Sequence, residues 1–283
     1  MEYVRLNNGL HMPAEGLGTF LLAPADAEEA VYNALKTGYR MIDTANAYMN
    51  ERAVGRGMKR SGVKRGDIFL VTKLWPTEYG TAADAIERTL ARLGTDYVDM
   101  LILHQPVGDC KAAYKAMEDA YKAGRVRSLG LSNFPEDMVR EVADSAEIVP
   151  QIVQVEAHPY FPQTELKKTL SKYGIALMAW YPLGHGDRSL IGQKVFSDLA
   201  AKYGKSNAQI ILRWHVQTGH IVIPGSKNPE HIASNFDIFD FALTADEMKS
   251  IAKLDRNKRY YNMSLKDAAK AYLSLDLDFD DQP

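Results

Sequence analysis

The sequence predicts an α/β protein, a closed (β/α)8 TIM barrel whose N-terminal end is capped by a β-hairpin. Three observations predict it. Eight short apolar runs recur along the chain, each followed by a helical pattern, which argues for parallel β/α units. Glycines 38, 62, 94, 124 and 174 stand where helical patterns stop, as expected of C-terminal caps. The chain has 283 residues, is 46% hydrophobic, and carries no linker, low-complexity tract or fixed-period repeat. Residues 1–283 therefore read as one domain around one core. A doubly wound sheet is the alternative, but GLGTFLLAP lacks the third glycine of a dinucleotide-binding turn.

The elements follow in order. VRLNNGLHMP reads as a hairpin turning at Asn8-Gly9, because both residues tolerate positive φ. It would plug the barrel end where apolar strand residues otherwise meet water. EGLGT (15–19) is a short strand candidate, followed by a helix from Ala25 to Thr37. YRMIDTA (39–45) is strand-like and Glu51 to Ser61 helical. IFLVTKL (68–74) leads to the helix Ala82 to Leu93, and VDMLILH (98–104) to the helix Lys111 to Lys122. SLGLSN (128–133) precedes a helix near Pro135, a favoured first-turn residue. IVQVEAH (152–158) precedes Gln163 to Tyr173. ALMAWYPL (176–183) is followed by two extra helices, near Gln193 to Tyr203 and Asn207 to Gln217. IVIPGS (221–226) is the eighth strand. A short helix starts near Pro229, and Thr244 with Glu247 forms a capping box for LTADEMKSIAKL. The aromatic and acidic tail RYYNMSLKDAAKAYLSLDLDFDDQP is expected to fold over the barrel mouth, with its last residues, DLDFDDQP, solvated.

Composition excludes several classes of function. A net charge of −2 disfavours nucleic acid and anionic membrane as partners. The single cysteine, Cys110, excludes a disulfide framework and suits a reducing compartment. No apolar run approaches the roughly 20 residues of a membrane span, and the N-terminus lacks an apolar signal region. A soluble, cytoplasmic protein is expected.

Three strand candidates end on, or just before, an ionisable group. Asp43 and Tyr48 follow YRMI, Lys73 ends IFLVTK and His104 ends VDMLILH. Converging strand ends are where barrels build active sites. A tyrosine hydroxyl, with a reference pKa of about 10, is a reluctant proton donor. The Lys73 ammonium is expected to lower that value, and Asp43 to hold Lys73 charged and oriented. His104 would hydrogen-bond a carbonyl oxygen. No activated serine or reactive cysteine supplies a nucleophile, so hydride from a bound cofactor is the economical completion. Each residue alone has a duller reading: a turn aspartate, a half-buried tyrosine, a strand-end lysine, a structural histidine. Glu156, His158, His215 and His220 suggest metal ligation only weakly. No third ligand follows the first pair, and the second lies five apart, off a shared helical face. No metal is expected, and Cys110 reads as a passive helix residue.

GLGT, DTANAYMNE, VTKLW, LILHQP, GLSNF, QVEAHPY, AWYPLG and IPGSKNPEHIASNF follow the hairpin in this order. In these motifs the sequence resembles the aldo-keto reductase family over almost its whole length. Within it, the chain resembles bacterial-type short-loop members of the 2,5-diketogluconate and methylglyoxal reductase kind. The resemblance implies an NAD(P)H-dependent oxidoreductase that reduces aldehydes or ketones. Tyr48 would be general acid, Lys73 and Asp43 its tuning pair, and His104 the group that orients the carbonyl. The implied cofactor contacts are Ser132, Asn133 and Gln154 on the carboxamide and Trp180 stacked on the nicotinamide. Tyr181, Pro182, Leu183 and Gly184 would lie along the pyrophosphate, Thr19 and Asp43 near the nicotinamide, and Asn235 at the adenine.

The family often carries a lysine where Gly225 stands and an arginine where His231 stands, gripping the 2′-phosphate of NADPH. A histidine is no substitute for a bidentate guanidinium. Ser226, Lys227, Asn228 and His231 are left as candidate phosphate or ribose contacts. NADP(H) with genuine use of NAD(H) is the expected cofactor pattern. Phe20, Trp75 and His104 would line the substrate pocket, with Met49 as a further candidate, and short loops suggest an open mouth for small carbonyl substrates. A monomer is expected. Two other readings stay open: a Schiff-base aldolase acting through Lys73, and a non-catalytic, cofactor-binding regulatory relative.

Overall fold

A computed structural model describes all of residues 1–283. The hairpin is β1 (Tyr3–Arg5) and β2 (His11–Pro13). The barrel follows as β3 (Leu17–Gly18), α1 (Pro24–Thr37), β4 (Met41–Asp43), α2 (Glu51–Ser61), β5 (Phe69–Leu74), α3 (Ala82–Leu93), β6 (Met100–Leu103) and α4 (Cys110–Lys122). The second half runs β7 (Leu129–Ser132), α5 (Glu136–Ser145), β8 (Ile152–Glu156), α6 (Thr164–Lys172), β9 (Ala176–Trp180), α7 (Arg188–Ile191), α8 (Lys194–Tyr203), α9 (Asn207–Gln217) and β10 (His220–Val222). After it come α10 (Pro229–Phe236), α11 (Ala245–Ala252) and α12 (Leu265–Leu273). The short helix α7 was not expected. The last strand is shorter than the predicted 221–226, because Pro224 has no N–H to continue the ladder.

Strands β3 to β10 form one sheet in chain order, every neighbouring pair parallel. The sheet closes where Gly16 N donates to Val222 O at 2.9 Å, Val222 N to Ala14 O at 2.9 Å and Gly18 N to Pro224 O at 3.2 Å. This is the predicted eight-stranded barrel. Its seam is tight, since a Cβ on Gly18 would sit 2.8 Å from Ile223 O.

Side chains alternate faces with period two. Met41, Phe69, Val71, Met100, Ile102, Ile152, Met178 and Ile221 pack inside the barrel. Leu6 and Met12 of the hairpin segment pack against them, so the hairpin closes the barrel floor as expected. Ile42, Leu70, Leu101, Leu129, Val153 and Leu177 face the helices instead. Gly130 keeps the interior filled without excess, because a Cβ there would meet Ile152 Cγ1 at 2.9 Å and Ile102 Cγ1 at 3.0 Å. The next inward positions toward the C-terminal ends are Asp43, Lys73, Ser132, Gln154 and Trp180. The apolar tiers therefore form the floor under a polar tier.

The tail crosses the mouth and then runs down the outside of the barrel. Most of its last residues, Asp276 to Asp278, Asp280, Asp281 and Pro283, are exposed as expected, but the segment is pinned to the barrel at Phe279 and Gln282, which the sequence did not suggest. Phe279 is 4% exposed, Asp280 Oδ1 accepts from Arg92 at 2.5 Å, and Gln282 Oε1 accepts from Arg52 N at 3.3 Å. The reason is a buried partner far off in sequence. Arg92 donates to Glu51 at 2.6 Å, Glu51 also accepts from Thr72 at 2.6 Å, and Asp280 completes the guanidinium. Phe279→Ala should lower unfolding free energy by about 3 kcal/mol in urea titrations. A loss under about 1 kcal/mol would show that the ring rests on the surface and fills no cavity.

Glu15 lies at the seam, fully buried. Its Oε1 is 3.3 Å from the Tyr39 hydroxyl, which is also 3.1 Å from Ile232 O. A hydroxyl has one proton and a carbonyl only accepts. Both contacts are satisfied when Glu15 is protonated and donates to Tyr39, which then donates to Ile232 O. Burial pushes the Glu15 carboxyl well above its usual range, against the opposing pull of Tyr39 and the N-terminus. A carboxyl with a raised folded value contributes stability that is complete below its unfolded pKa, about 4.3. That contribution falls away as pH rises toward the folded value. Glu15→Gln keeps the donor and abolishes the titration. Its thermal midpoint should gain on the wild type more at pH 8 than at pH 5; an equal gain at both would mean that Glu15 is ionised in the fold.

Candidate active site

The polar tier is assembled by the turn after β4. Residues Asn46–Tyr48 form one 3-10 turn, and Met49 ends it in the left-handed region at φ 56°. Polar side chains of this turn tie it to the mouth. Thr44 donates to Asn50 Oδ1 at 2.8 Å, Asn50 donates to Thr19 O at 3.0 Å and Leu22 O at 3.1 Å, and Asn46 donates to Glu78 Oε2 at 2.6 Å. Asn46, Asn50 and Glu78 were not singled out from the sequence. The signal was their presence in, or opposite, a polar turn between two buried elements.

Lys73 and Asp43 form a sealed ion pair. Lys73 Nζ donates to Asp43 Oδ1 at 2.6 Å and to Thr44 O at 2.8 Å, while Gln154 Nε2 donates to Asp43 Oδ2 at 2.9 Å. Lys73 is 0% and Asp43 1% exposed. Burial pushes the Asp43 carboxyl up and the Lys73 ammonium down, and each charge pulls the other back. Both carboxylate oxygens accept hydrogen bonds, the pattern of an ionised group. The expected pairing of Asp43 with Lys73 is present.

The Tyr48 hydroxyl departs from expectation. Burial pushes its pKa well above the ordinary 10, and Asp43 and Tyr181 add to the rise. Two features limit what Lys73 does to lower it. Its ammonium lies against the ring face, 4.8 Å from the centroid, and Asp43 neutralises its field.

His104 sits between Tyr48 and Trp75, with ring centroids 5.5 Å and 5.0 Å away. It is 7% exposed, and burial, with Lys73 nearby, holds its pKa well below 6.5. The ring is therefore neutral at physiological pH. Its Nδ1 is buried with no partner. A bare lone pair there costs less than a stranded N–H, so the proton belongs on Nε2. A tyrosine hydroxyl and an imidazole N–H thus border one space over a buried ion pair. That arrangement can bind and protonate a developing oxyanion. In 15N spectra His104 should remain a neutral Nε2–H tautomer down to about pH 5.5; titration near 6.5 would contradict this geometry.

The remaining predicted residues lie at the C-terminal ends of strands β3 and β7 to β10 and in the segments that follow them. Thr19 is buried and donates to Asp43 O at 3.0 Å, so its hydroxyl faces the wall. Asn133 donates to His104 O at 3.3 Å and Gln105 Oε1 at 3.2 Å and accepts from Trp180 Nε1 at 2.9 Å. Its amide and the Trp180 indole thus have partners within the protein, and Gln154 has its N–H on Asp43. Ser132 and Gln154, 1% and 2% exposed, face each other at the C-terminal ends of β7 and β8. Tyr181 has φ 52°, and Pro182, Leu183 and Gly184 follow it beyond β9. At the far side, Asn228 caps α10 by accepting from Glu230 N at 2.9 Å, and Ser226 accepts from Asn228 N at 3.1 Å. Lys227 pairs loosely with Asp26 at 3.2 Å. Asn235 is buried, and His231 and Gly225 are exposed.

The tail narrows the mouth, which is less open than short loops suggested. Tyr272 stacks edge-on against Trp75 at 4.9 Å and takes its indole N–H at 3.2 Å. Tyr261 lies 6.1 Å from Trp180, and the Tyr261 and Tyr272 hydroxyls touch. Phe20, 49% exposed, forms the opposite rim, 5.0 Å from Tyr48. Glu156 anchors the tail by accepting from Tyr260 N at 2.6 Å, Tyr261 N at 3.1 Å and His158 Nε2 at 3.0 Å. Burial pushes the Glu156 carboxyl up, but these donors outweigh it and leave it below the usual value. No three His, Cys, Asp or Glu side chains are grouped to hold a metal ion.

A sequence model described as the aldo/keto reductase family matches residues 16–256. An aldo-keto reductase of Mycolicibacterium smegmatis is 46% identical over 261 residues, covering 90% of this chain and 94% of that one. Methylglyoxal reductase DkgA of Escherichia coli K12 is 39% identical over 259 residues, covering 90% and 94%. Among solved structures, an aldo-keto reductase of Bombyx mori in complex with NADP superposes with a TM-score of 0.86 at 34% identity, covering 92% and 95%.

Proposed function

The chain belongs to the aldo/keto reductase family, and we propose that Tyr48 is the general acid of its carbonyl reduction. The observation that carries this is the convergence of Tyr48 and neutral His104 above the sealed Asp43–Lys73 pair. The mouth fits a nicotinamide cofactor. Ser132 and Gln154 bring a hydroxyl and an amide together at adjacent strand ends beside Asn133, and Trp180 stands next to them as a flat wall. The cofactor, when bound, supplies the hydride.

The protein's own groups do the rest. His104 Nε2–H holds the substrate carbonyl oxygen in place. Tyr48 keeps its proton throughout neutral pH and gives it up only to a strongly basic oxygen forming beside it. The phenolate then left behind lies over the Lys73 ammonium, which stabilises it after transfer. Asp43 keeps Lys73 charged. In the oxidative direction the same tyrosine is the base. A Schiff base through Lys73 has no support here, because its ammonium is bound to Asp43 and Thr44.

We infer a weakened preference for NADPH over NADH. Neither a lysine at 225 nor an arginine at 231 is available for the 2′-phosphate, and Lys227 is exposed and shared with Asp26. A lysine could not simply be restored at 225, since a Cβ there would lie 3.1 Å from Gly18 O. Position 231 is free to take an arginine. Small α-dicarbonyls suit the narrowed aromatic mouth, a choice supported by the likeness to methylglyoxal reductase.

Tyr48→Phe should lower kcat for methylglyoxal about 10²- to 10⁴-fold while NADPH binding persists; a loss below tenfold would place the acid elsewhere. NADPH should lead NADH in kcat/KM by less than three decades, roughly 4 kcal/mol. His231→Arg should widen that lead about tenfold through a new guanidinium–phosphate contact. An unchanged ratio would remove residue 231 from the phosphate site.

A further inference from the structure

We propose that His215 and His220 are positioning residues for the cofactor, holding the loop after β9 in its binding shape through one directional chain of hydrogen bonds. The inference rests on the reading that residues Pro182 to Gly184 border the pyrophosphate.

Both rings are sealed, His215 at 0% and His220 at 1% exposure. His215 Nε2 is 3.0 Å from Pro182 O, and His215 Nδ1 is 3.1 Å from His220 Nδ1. Burial holds both rings far below their usual pKa, His215 at about 3. Two neutral imidazoles leave one consistent arrangement. A carbonyl only accepts, so His215 carries its proton on Nε2 and donates it to Pro182 O. Its Nδ1 is then bare and must accept, so His220 carries its own proton on Nδ1. The chain runs from the start of β10, through α9, to the first turn beyond β9. These histidines lie five apart in sequence, but α9 ends at Gln217 and Gly219 reverses the chain at φ 80°, bringing them together.

The loop needs such a clamp. Tyr181, Gly184, His185 and Gly186 have φ values of 52°, 61°, 55° and 76°. For Tyr181 and His185 this backbone is strained, and strain persists only where neighbours over-determine it. Pro182 has no N–H, so its carbonyl is its one polar backbone handle. His215 holds that handle from beneath, on the side away from the mouth. A loop already set before binding leaves less ordering cost to be met by the ligand.

Loss of the His215 donor strands Pro182 O in an apolar site and frees the loop. His215→Leu should weaken NADPH binding about tenfold. Adenosine 2′-monophosphate, which reaches only the α10 side, should bind unchanged. The kcat at saturating NADPH should stay within about twofold, because Asp43, Tyr48, Lys73 and His104 are untouched. His215→Gln, whose Nε2 falls near the imidazole Nε2, should recover most of the affinity. His220→Leu, which removes only the far donor, should shift NADPH affinity in the same direction, and it decides the matter alone if His215→Leu does not fold. Fluorescence titration of the full-length protein reads all of these. Equal NADPH affinity in wild type and both leucine variants overturns the proposal while leaving the cofactor site intact. Equal weakening of NADPH and adenosine 2′-monophosphate also overturns it, showing a general structural role. Failure of the wild type itself to bind NADPH overturns the underlying cofactor reading.

Discussion

The buried Asp43–Lys73 pair is the interaction on which the rest of the mouth depends. Its two charges lie on neighbouring parallel strands, one inward tier above the apolar floor. Taking such a pair from water costs more than its attraction returns unless further hydrogen bonds complete it. Thr44 O completes the ammonium and Gln154 completes the carboxylate. The turn carrying Tyr48 starts at Asp43, and Tyr48 lies on Lys73. Replacing such a pair by apolar residues is often neutral or stabilising, so stability alone does not account for the charge, and the proposed function gives it a role on the tyrosine.

Burial acts on the site in two directions. It keeps His104 neutral, which makes it a hydrogen-bond donor and not a competing cation. It also keeps the proton on Tyr48. On the proposed mechanism Lys73 acts mainly after transfer, on the phenolate, and not by acidifying the resting hydroxyl. A local reading of the sequence has the lysine as the dominant influence. The structure adds the compensating carboxylate and the apolar surroundings, and those push the resting hydroxyl the other way.

Much of the architecture was legible because it is periodic and local. Inward positions at every second residue give Phe69, Val71, Lys73 on one strand and Ile152, Gln154, Glu156 on another, and glycines mark the helix ends. That Asp43, Tyr48, Lys73 and His104 meet at one mouth could be read because each comes at or just after an apolar strand. What could not be read depends on partners far apart in sequence. Phe279 looks solvated, and Asp280 unpaired, until Arg92 and Glu51 are placed beneath them. Glu156 looks like half of a weak metal pair until the tail's amides arrive. His215 and His220 look unrelated on a helical wheel because the chain reverses between them. Glu15, a carboxyl in a seam of apolar and small residues, gives no local sign that its proton links Tyr39 to α10.

The most direct test is a double-mutant cycle on Asp43→Asn and Lys73→Met, followed by urea unfolding and by turnover. Each single change leaves a buried charge without its partner and should cost about 3–5 kcal/mol. The double variant should regain most of that stability, a strongly non-additive result, yet remain as inactive as Lys73→Met alone. Additive stability losses, or turnover restored in the double variant, would contradict an ion pair kept for its action on Tyr48.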